Sequence, residues 1–305
     1  MVRRAWIRVA AGALVLTMCA AGGAWAADQQ EAPWGLARIS QRGPVGPGPW
    51  TYRFNGDGSG VTVYVLDTGI DVKNPEFEGR ARFGARFVSS DDTDCNGRGT
   101  HLSGTVGAKT YGVAKKASLV AVKVADCDGN ATTGSLRAGI NWAVSDKRGV
   151  KGNVILIGVT QQKSSALNQA VQAAHAKGFV VVVGAGPGGD ACSLSPASAP
   201  EAVTVGATTK DDKLLSASSH GKCVDVLGPG EDTVSTWTGG PGATRTESGT
   251  AMAAAHVAGV AAYYLSQGSI TSSQVTAKIV SSATKDAVTG LPAGTPNLLV
   301  HNSIS

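Results

Sequence analysis

Short apolar runs alternate with amphipathic segments along most of this chain. The runs are rich in β-branched residues and of strand length, and they cover residues 61–66, 119–124, 154–159 and 179–183. The intervening segments have helical spacing or a small-residue composition, and they cover residues 98–108, 133–147 and 164–177. Alternating strands and helices predict a three-layer α/β fold, with a central, mostly parallel sheet and helices on both faces.

The last third of the chain continues this pattern, whereas the first sixty residues do not. Short strands are predicted at residues 202–205 and 224–227, and helices at 249–265 and 271–281. Residues 28–59 contain four prolines and several glycines, which predict an irregular N-terminal arm. We expect an arm over residues 27–60 and a single domain over residues 61–305.

The first 26 residues have the pattern of a cleaved signal peptide. Three arginines precede an uncharged apolar run over residues 9–23, and a small-x-small cleavage site ends at Ala26. This run is shorter than the roughly 20 residues that span a bilayer. We expect a secreted protein without a membrane anchor, exported by either the general or the twin-arginine route.

Charge argues against a nucleic-acid partner. The formal net charge is +5, but three of the 27 Lys and Arg residues lie in the predicted signal. Its removal leaves 24 basic residues against 22 Asp and Glu. A nearly neutral chain without a basic patch lacks the electrostatic footprint of a nucleic-acid-binding protein.

Four cysteines follow the predicted signal, namely Cys95, Cys127, Cys192 and Cys223. An even number in an exported chain predicts two disulfides, and four cysteines allow three connectivities. A zinc site is the alternative, but the sequence contains no CxxC spacing.

A glycine-rich segment at residues 184–189 matches the GxGxxG pattern of dinucleotide-binding proteins. In those proteins the glycines open a helix whose N-terminus holds the pyrophosphate. Here Pro196 and Pro200 follow within a segment that cannot form such a helix. We therefore predict no nucleotide cofactor.

Several short motifs occur in a characteristic order. They include VLDTGI at residues 65–70, GTH at 99–101, LSPAS at 194–198 and ESGTAMAAAHVAG at 247–259. This series resembles the subtilisin-like serine proteases, most closely their proteinase K branch. The resemblance covers nearly the whole chain after the signal, and it implies the subtilisin-like α/β fold.

The resemblance assigns four catalytic positions, of which one is retained. Asp67 matches the aspartate of the triad, but Arg98 occupies the position of the catalytic histidine. Pro187 stands at the oxyanion asparagine and Ala251 at the nucleophilic serine. Arginine cannot act as a general base because it stays protonated. His101 matches a structural histidine, about 5 Å along the helix from the base position.

The two edges of the family's substrate groove are also altered. The glycine-rich edge matches residues 158–162, which begin with Gly158, Val159 and Thr160. The opposite Gly-Ser-Gly edge matches Gly129, Asn130 and Ala131. Side chains replace glycines at the first edge, so we expect weakened binding of a peptide as an added strand.

The resemblance further implies two disulfides and one metal site. The pairs are Cys95–Cys127 and Cys192–Cys223. A structural calcium ion would be bound by the carbonyl groups of Pro200 and Ala202 and the carboxylate of Asp225. The alternative for Asp225 is an ordinary solvated carboxylate, because three protein oxygens need water to complete the coordination.

Arg98 and Asp67 occupy positions that touch in the family, so we predict a buried ion pair. The alternative is that Arg98 turns to solvent. Since the motif APWGLARIS begins at residue 32, we expect no pro-domain between it and the signal. The cysteine spacing resembles that of bacterial relatives and suggests a bacterial source.

Three functions follow from this reading. The first is a secreted pseudoprotease that binds a peptide, a protease or a protease inhibitor through the remnant groove. The second is an active serine endopeptidase with a rearranged site. The third is a structural or partner-binding protein that uses another surface. None requires a catalytic cofactor.

Overall fold

The strands and helices are described for residues 26–88 and 91–304 of a computed structural model. The helices are α1 (Trp34–Arg38), α2 (Arg98–Gly107), α3 (Thr133–Asp146), α4 (Ser165–Ala176), α5 (Thr250–Ser266) and α6 (Ser272–Ser282). The first strands are β1 (Ala27–Ala32), β2 (Trp50–Phe54), β3 (Val61–Asp67), β4 (Ala81–Arg86), β5 (Ser118–Lys123), β6 (Gly152–Ile157), β7 (Gln161–Gln162) and β8 (Phe179–Gly184). The later strands are β9 (Leu194–Ser195), β10 (Ala202–Thr208), β11 (Val226–Pro229), β12 (Thr233–Thr236), β13 (Thr244–Glu247), β14 (Thr284–Lys285) and β15 (Leu298–Leu299).

The central sheet has the strand order β14-β15-β11-β10-β8-β6-β3-β5-β4. Neighbouring strands from β11 to β4 are parallel, and β14 pairs with β15 in the antiparallel direction. The predicted fold class, a mostly parallel α/β sheet, is therefore confirmed.

Both faces of this sheet are buried, as strand β3 shows. Val63 and Val65 pack in one core together with residues of α2, α5 and α6. Tyr64 and Leu66 point to the other face and pack in a second core with residues of α3 and α4. Burial on two faces explains why β3 reads as a continuous apolar run and not as an alternating pattern.

Helix α5 crosses the middle of the sheet and contacts β6, β8 and β10. Small residues let α5 pack closely on its neighbours, since a Cβ added at Gly259 would lie 2.6 Å from Val113 in the segment between α2 and β5. At its start, a Cβ added at Gly184 would lie 3.0 Å from Thr250. The first turn of α5 is therefore held against the carboxyl end of β8, where parallel sheets place their sites.

The N-terminal arm differs from the prediction. Residues 28–59 were expected to be irregular, but β1 and β2 form an antiparallel pair and α1 lies between them. The β1 sequence is polar and mostly exposed, so it lacks the alternation that identifies a strand. The predicted strand at residues 224–227 also begins later, as β11 at Val226.

The predicted signal peptide lies almost entirely outside the described residues. Within residues 26–88 and 91–304, no helix is long and apolar enough to cross a membrane.

Candidate active site

Asp67 ends strand β3 and is fully buried at the carboxyl edge of the sheet. Its Oδ1 atom accepts a hydrogen bond from the Thr68 amide at 2.8 Å and another from Arg98 Nε at 2.9 Å. Its Oδ2 atom has no hydrogen-bond partner among the described residues. A Cβ added at Gly158 would lie 2.2 Å from that oxygen, so Gly158 closes off this side of the carboxylate.

Arg98 opens helix α2 after Gly97, whose φ of 104° suits glycine. The guanidinium lies between two segments, because Nε binds Asp67 while Nη2 donates to the Gly129 carbonyl at 3.2 Å. The side chain is 26% exposed, whereas the Asp67 side chain has no exposed surface. The predicted Arg98–Asp67 ion pair is confirmed.

The Arg98 guanidinium of this ion pair carries a permanent positive charge. Asp67 raises the pKa of Arg98, because the carboxylate stabilises the guanidinium charge against the cost of burial. Burial raises the pKa of Asp67, while Arg98 and the Thr68 amide act in the opposite direction. An arginine whose pKa is raised further cannot accept a proton, so this pair cannot replace a histidine–aspartate base.

The three replaced positions meet in one cavity of about 360 Å³. Arg98, Pro187 and Ala251 all line it, together with the predicted groove-edge residues Gly158, Val159 and Thr160. Glu247, Ser248 and Ala217 also line it and were not singled out from the sequence. The volume is at the lower end of the range for ligand pockets.

The segment around Ala251, where the resemblance implies the nucleophile, is held by a hydrogen bond to a neighbouring loop. Ala251 lies in the first turn of α5, and the preceding Thr250 hydroxyl accepts a hydrogen bond from the Gly186 amide at 3.1 Å. This bond joins α5 to the loop after β8, where Pro187 has no N–H to donate. Ala251 thus presents a methyl group at the cavity, where the family resemblance implies the nucleophile.

His101 does not supply the missing base. The ring is fully buried, and Nε2 lies 2.8 Å from the Thr233 carbonyl in β12. Burial lowers its pKa to about 4, so the ring is neutral at ordinary pH. It is not among the residues lining the cavity, and its contacts fit the structural role implied by the sequence.

The opposite groove edge, formed by Gly129, Asn130 and Ala131, does not line the cavity. Two side chains nevertheless connect it to the rest of the cleft. Arg98 binds the Gly129 carbonyl, and Gln161 Nε2 donates to the Ala131 carbonyl at 3.0 Å. Gln161 was aligned with a family glycine, but its bond across the groove was not foreseen.

Two disulfides join the predicted cysteine pairs. They are Cys95–Cys127 and Cys192–Cys223, which confirms the connectivity that the resemblance implied. The first joins the segment before α2 to the segment that carries Gly129. It therefore fixes Arg98 and its carbonyl acceptor relative to each other.

The residues predicted to bind calcium lie close together. Pro200 and Asp225 line one cavity of about 250 Å³, and Ala202 begins β10 two residues after Pro200. Burial raises the pKa of Asp225 to about 6, although its Oδ2 accepts a bond from the Thr204 amide. No salt bridge to Asp225 occurs within the described part of the chain. This half-buried carboxylate offers oxygens to a cation, although the exposed Lys222 lines the same cavity.

Comparison with known proteins identifies the family. The profile of the Subtilase family matches residues 58–295. The chain belongs to this family. The subtilase is 43% identical over 281 residues to a cuticle-degrading protease of Metarhizium anisopliae, covering 90% of this chain and 71% of that protein. It is 42% identical over 299 residues to cerevisin of Saccharomyces cerevisiae, covering 90% of this chain and 47% of that protein.

A solved structure agrees with the fold of this subtilase. The crystal structure of a cold adapted subtilisin-like serine proteinase superimposes with a TM-score of 0.84 at 40% identity. The match covers 90% of this chain and all of that one. The Metarhizium anisopliae protein and the protein of this crystal structure are both named as proteases.

The relatives bear on the expected source and location. Metarhizium anisopliae and Saccharomyces cerevisiae are fungi, so these relatives do not support the bacterial source that we predicted. The two disulfides fit an oxidising compartment such as the extracellular space.

Proposed function

We propose that this subtilase is a secreted pseudoprotease that acts by binding a peptide or protein partner and not by hydrolysis. The observation that carries the proposal is the convergence of Arg98, Pro187 and Ala251 on one cavity. The serine, the histidine and the oxyanion amide are replaced together, so the cavity retains the shape of an active site without its reactive groups.

The expected loss of activity is large. In subtilisin, a member of this family, removal of the serine or the histidine alone lowers kcat by about 10⁶. Loss of the oxyanion asparagine there costs about 10²–10³. Since all three groups are replaced here, we expect turnover close to the uncatalysed rate.

An active endopeptidase with a rearranged site is the second candidate, because the Metarhizium anisopliae relative and the solved structure are named as proteases. Such a site needs a nucleophile and a base within hydrogen-bond reach. Ser248 lines the cavity, but its hydroxyl accepts a bond from the Asp232 amide, and no histidine lines the cavity. These contacts favour the inactive protein.

We also propose that Asp225 and the carbonyl groups of Pro200 and Ala202 bind a structural calcium ion. Calcium prefers oxygen ligands of this kind and takes six to eight of them, so water would complete the set. The ion would neutralise the half-buried carboxylate, and no catalytic step depends on it.

Labelling with a fluorophosphonate, a reagent for activated serines, tests the loss of function. The unmodified protein and the Ala251→Ser variant should both remain unlabelled, because Arg98 cannot activate the new hydroxyl. The Arg98→His/Pro187→Asn/Ala251→Ser variant should gain labelling. An active subtilase and a heat-unfolded sample serve as positive and negative controls. The proposal would be overturned if the unmodified protein were labelled and if peptide-cleaving activity followed this protein through purification.

A further inference from the structure

We propose that Gln161 determines which partners enter the cleft, by excluding extended peptides that would bind as an added strand. This inference rests on the proposed function, because it concerns how the same cleft selects its partner. It depends on a contact made by a side chain that the sequence alone left unassigned.

Gln161 spans the gap between the two groove edges. It belongs to β7, the strand that continues directly from Gly158, Val159 and Thr160. Its side chain leaves this edge and donates from Nε2 to the Ala131 carbonyl of the opposite edge at 3.0 Å. The side chain therefore occupies the space between the edges.

The backbone on both sides of this bridge is held in place. On one side Gln161 pairs with Ser195 of β9 in antiparallel register. On the other, Ala131 pairs with Ala125, and the Asn130 carbonyl accepts a bond from the Asp126 amide at 2.9 Å. The bridge joins two segments that are each held by backbone pairing, so its formation does not require a mobile loop to become ordered.

A second carbonyl of the same edge is also occupied. Arg98, held by Asp67, donates to the Gly129 carbonyl at 3.2 Å. The edge thus has two carbonyl groups, at Gly129 and Ala131, that accept bonds from the protein's own side chains. A peptide that binds as a strand needs free main-chain partners and about 4.8 Å of space beside each edge strand.

Removing the Gln161 side chain frees one acceptor and the space beside it. We expect Gln161→Gly to strengthen binding of an extended peptide by about tenfold. The neighbouring residue provides a matched control, since Gln162 lies in the same strand, is exposed and makes no side-chain hydrogen bond among the described residues. Gln162→Gly changes the same backbone in the same way and should leave binding unchanged.

The experiment measures the fluorescence anisotropy of a fluorescein-labelled tetrapeptide amide, Ala-Ala-Ala-Leu. The proteins are the unmodified chain, Gln161→Gly, Gln162→Gly and Gln161→Glu. The glutamate keeps the shape of glutamine but cannot donate to a carbonyl, so it should also open the cleft and strengthen binding. Thermal unfolding of each variant checks that the fold is retained, and mass spectrometry follows cleavage of the peptide.

Tighter binding by Gln161→Gly and Gln161→Glu, with no change for Gln162→Gly, would support the proposal. Equal binding by the unmodified protein and Gln161→Gly, an equal gain from Gln162→Gly, or no binding by any variant would overturn it. Cleavage of the peptide by the unmodified protein would instead contradict the proposed function. Equal binding by the unmodified protein and Gln161→Gly, without cleavage, would leave the pseudoprotease intact and remove only the role of Gln161.

Discussion

At the scale of single residues, the arginine at position 98 changes the chemistry of the site more than the absence of a serine hydroxyl at position 251. Arginine at position 98 replaces a titratable ring with a permanent charge that faces the buried Asp67. The carboxylate that would orient a base is instead neutralised by a cation. Asp67 balances the charge of Arg98, so its presence is not by itself evidence of catalysis.

Truncation of this arginine tests that role. Arg98→Ala should lower the free energy of unfolding by about 3 kcal/mol, because it leaves the buried Asp67 carboxylate without its cation. Urea unfolding followed by circular dichroism measures the change. The Arg98→Ala/Asp67→Ala double variant should recover part of the loss. If Arg98→Ala unfolds at the same urea concentration as the unmodified protein, the pair contributes nothing to stability.

Motif order pointed to the site residues and to the Arg98–Asp67 contact, whereas it gave no indication of the contact made by Gln161. The motifs pointed to Asp67, Arg98, Pro187 and Ala251, and the structure brings the last three to one cavity with Asp67 paired to Arg98. The bond between Gln161 and Ala131 joins residues 30 positions apart, and it depends on how two loops pack. No local pattern encodes such a bond, so the sequence could not predict it.

At the scale of secondary structure, the strands that are buried on both faces were predicted from the sequence, and the partly exposed strands were not. The strands of the sheet centre were found because both of their faces are apolar, as in β3 and β8. The edge strand β4 and the arm strands β1 and β2 were missed, since their residues are partly exposed and mixed in polarity. Propensity is a weak guide where tertiary pairing supplies the stability.

The calcium proposal belongs to this scale, because the ion would join the start of β10 to the segment before β11. Chelation with EDTA should lower the melting temperature at pH 7.5, since calcium at 100 times its Kd contributes about 2.7 kcal/mol. Because the pKa of Asp225 is raised to about 6, protons should compete at pH 5 and reduce the effect.

The Asp225→Asn variant is the control for this experiment. It keeps the shape of the side chain but removes the charge, so EDTA should no longer change its melting temperature. Scanning calorimetry with and without added calcium provides the measurement. An equal response of Asp225→Asn and the unmodified protein would place the ion elsewhere.

At the scale of the whole molecule, buried histidines link stability to pH. Burial lowers the pKa of His101, His256 and His301 to about 4 each. Below about 6.5 the unfolded chain binds protons at these rings and the folded chain does not, so their contribution to stability falls as the pH drops towards 4. In the calcium-free protein Asp225 acts in the opposite direction, because burial raises its folded pKa and its protonated form favours the folded state.

His256 allows this linkage to be measured alone. It is buried under α1, with Nδ1 3.0 Å from the Met252 carbonyl. The difference in unfolding free energy between the unmodified protein and His256→Asn should shrink by about 2 kcal/mol from pH 7.5 to pH 4.5. His175→Asn, at a partly exposed position on α4, is the control for the substitution itself. Urea titrations at both pH values measure these free energies. If the difference between the unmodified protein and His256→Asn is the same at both pH values, His256 does not link stability to pH.

The convergence of three replaced groups on one cavity has a consequence for the protein's evolutionary future. No single substitution restores hydrolysis, because a serine at position 251 still faces an arginine, and a histidine at position 98 still faces a methyl group. Under the proposed function, selection for proteolysis therefore has no single-step intermediate to favour. The cleft is then free to diversify as a recognition surface, on a scaffold that does not digest its own partner.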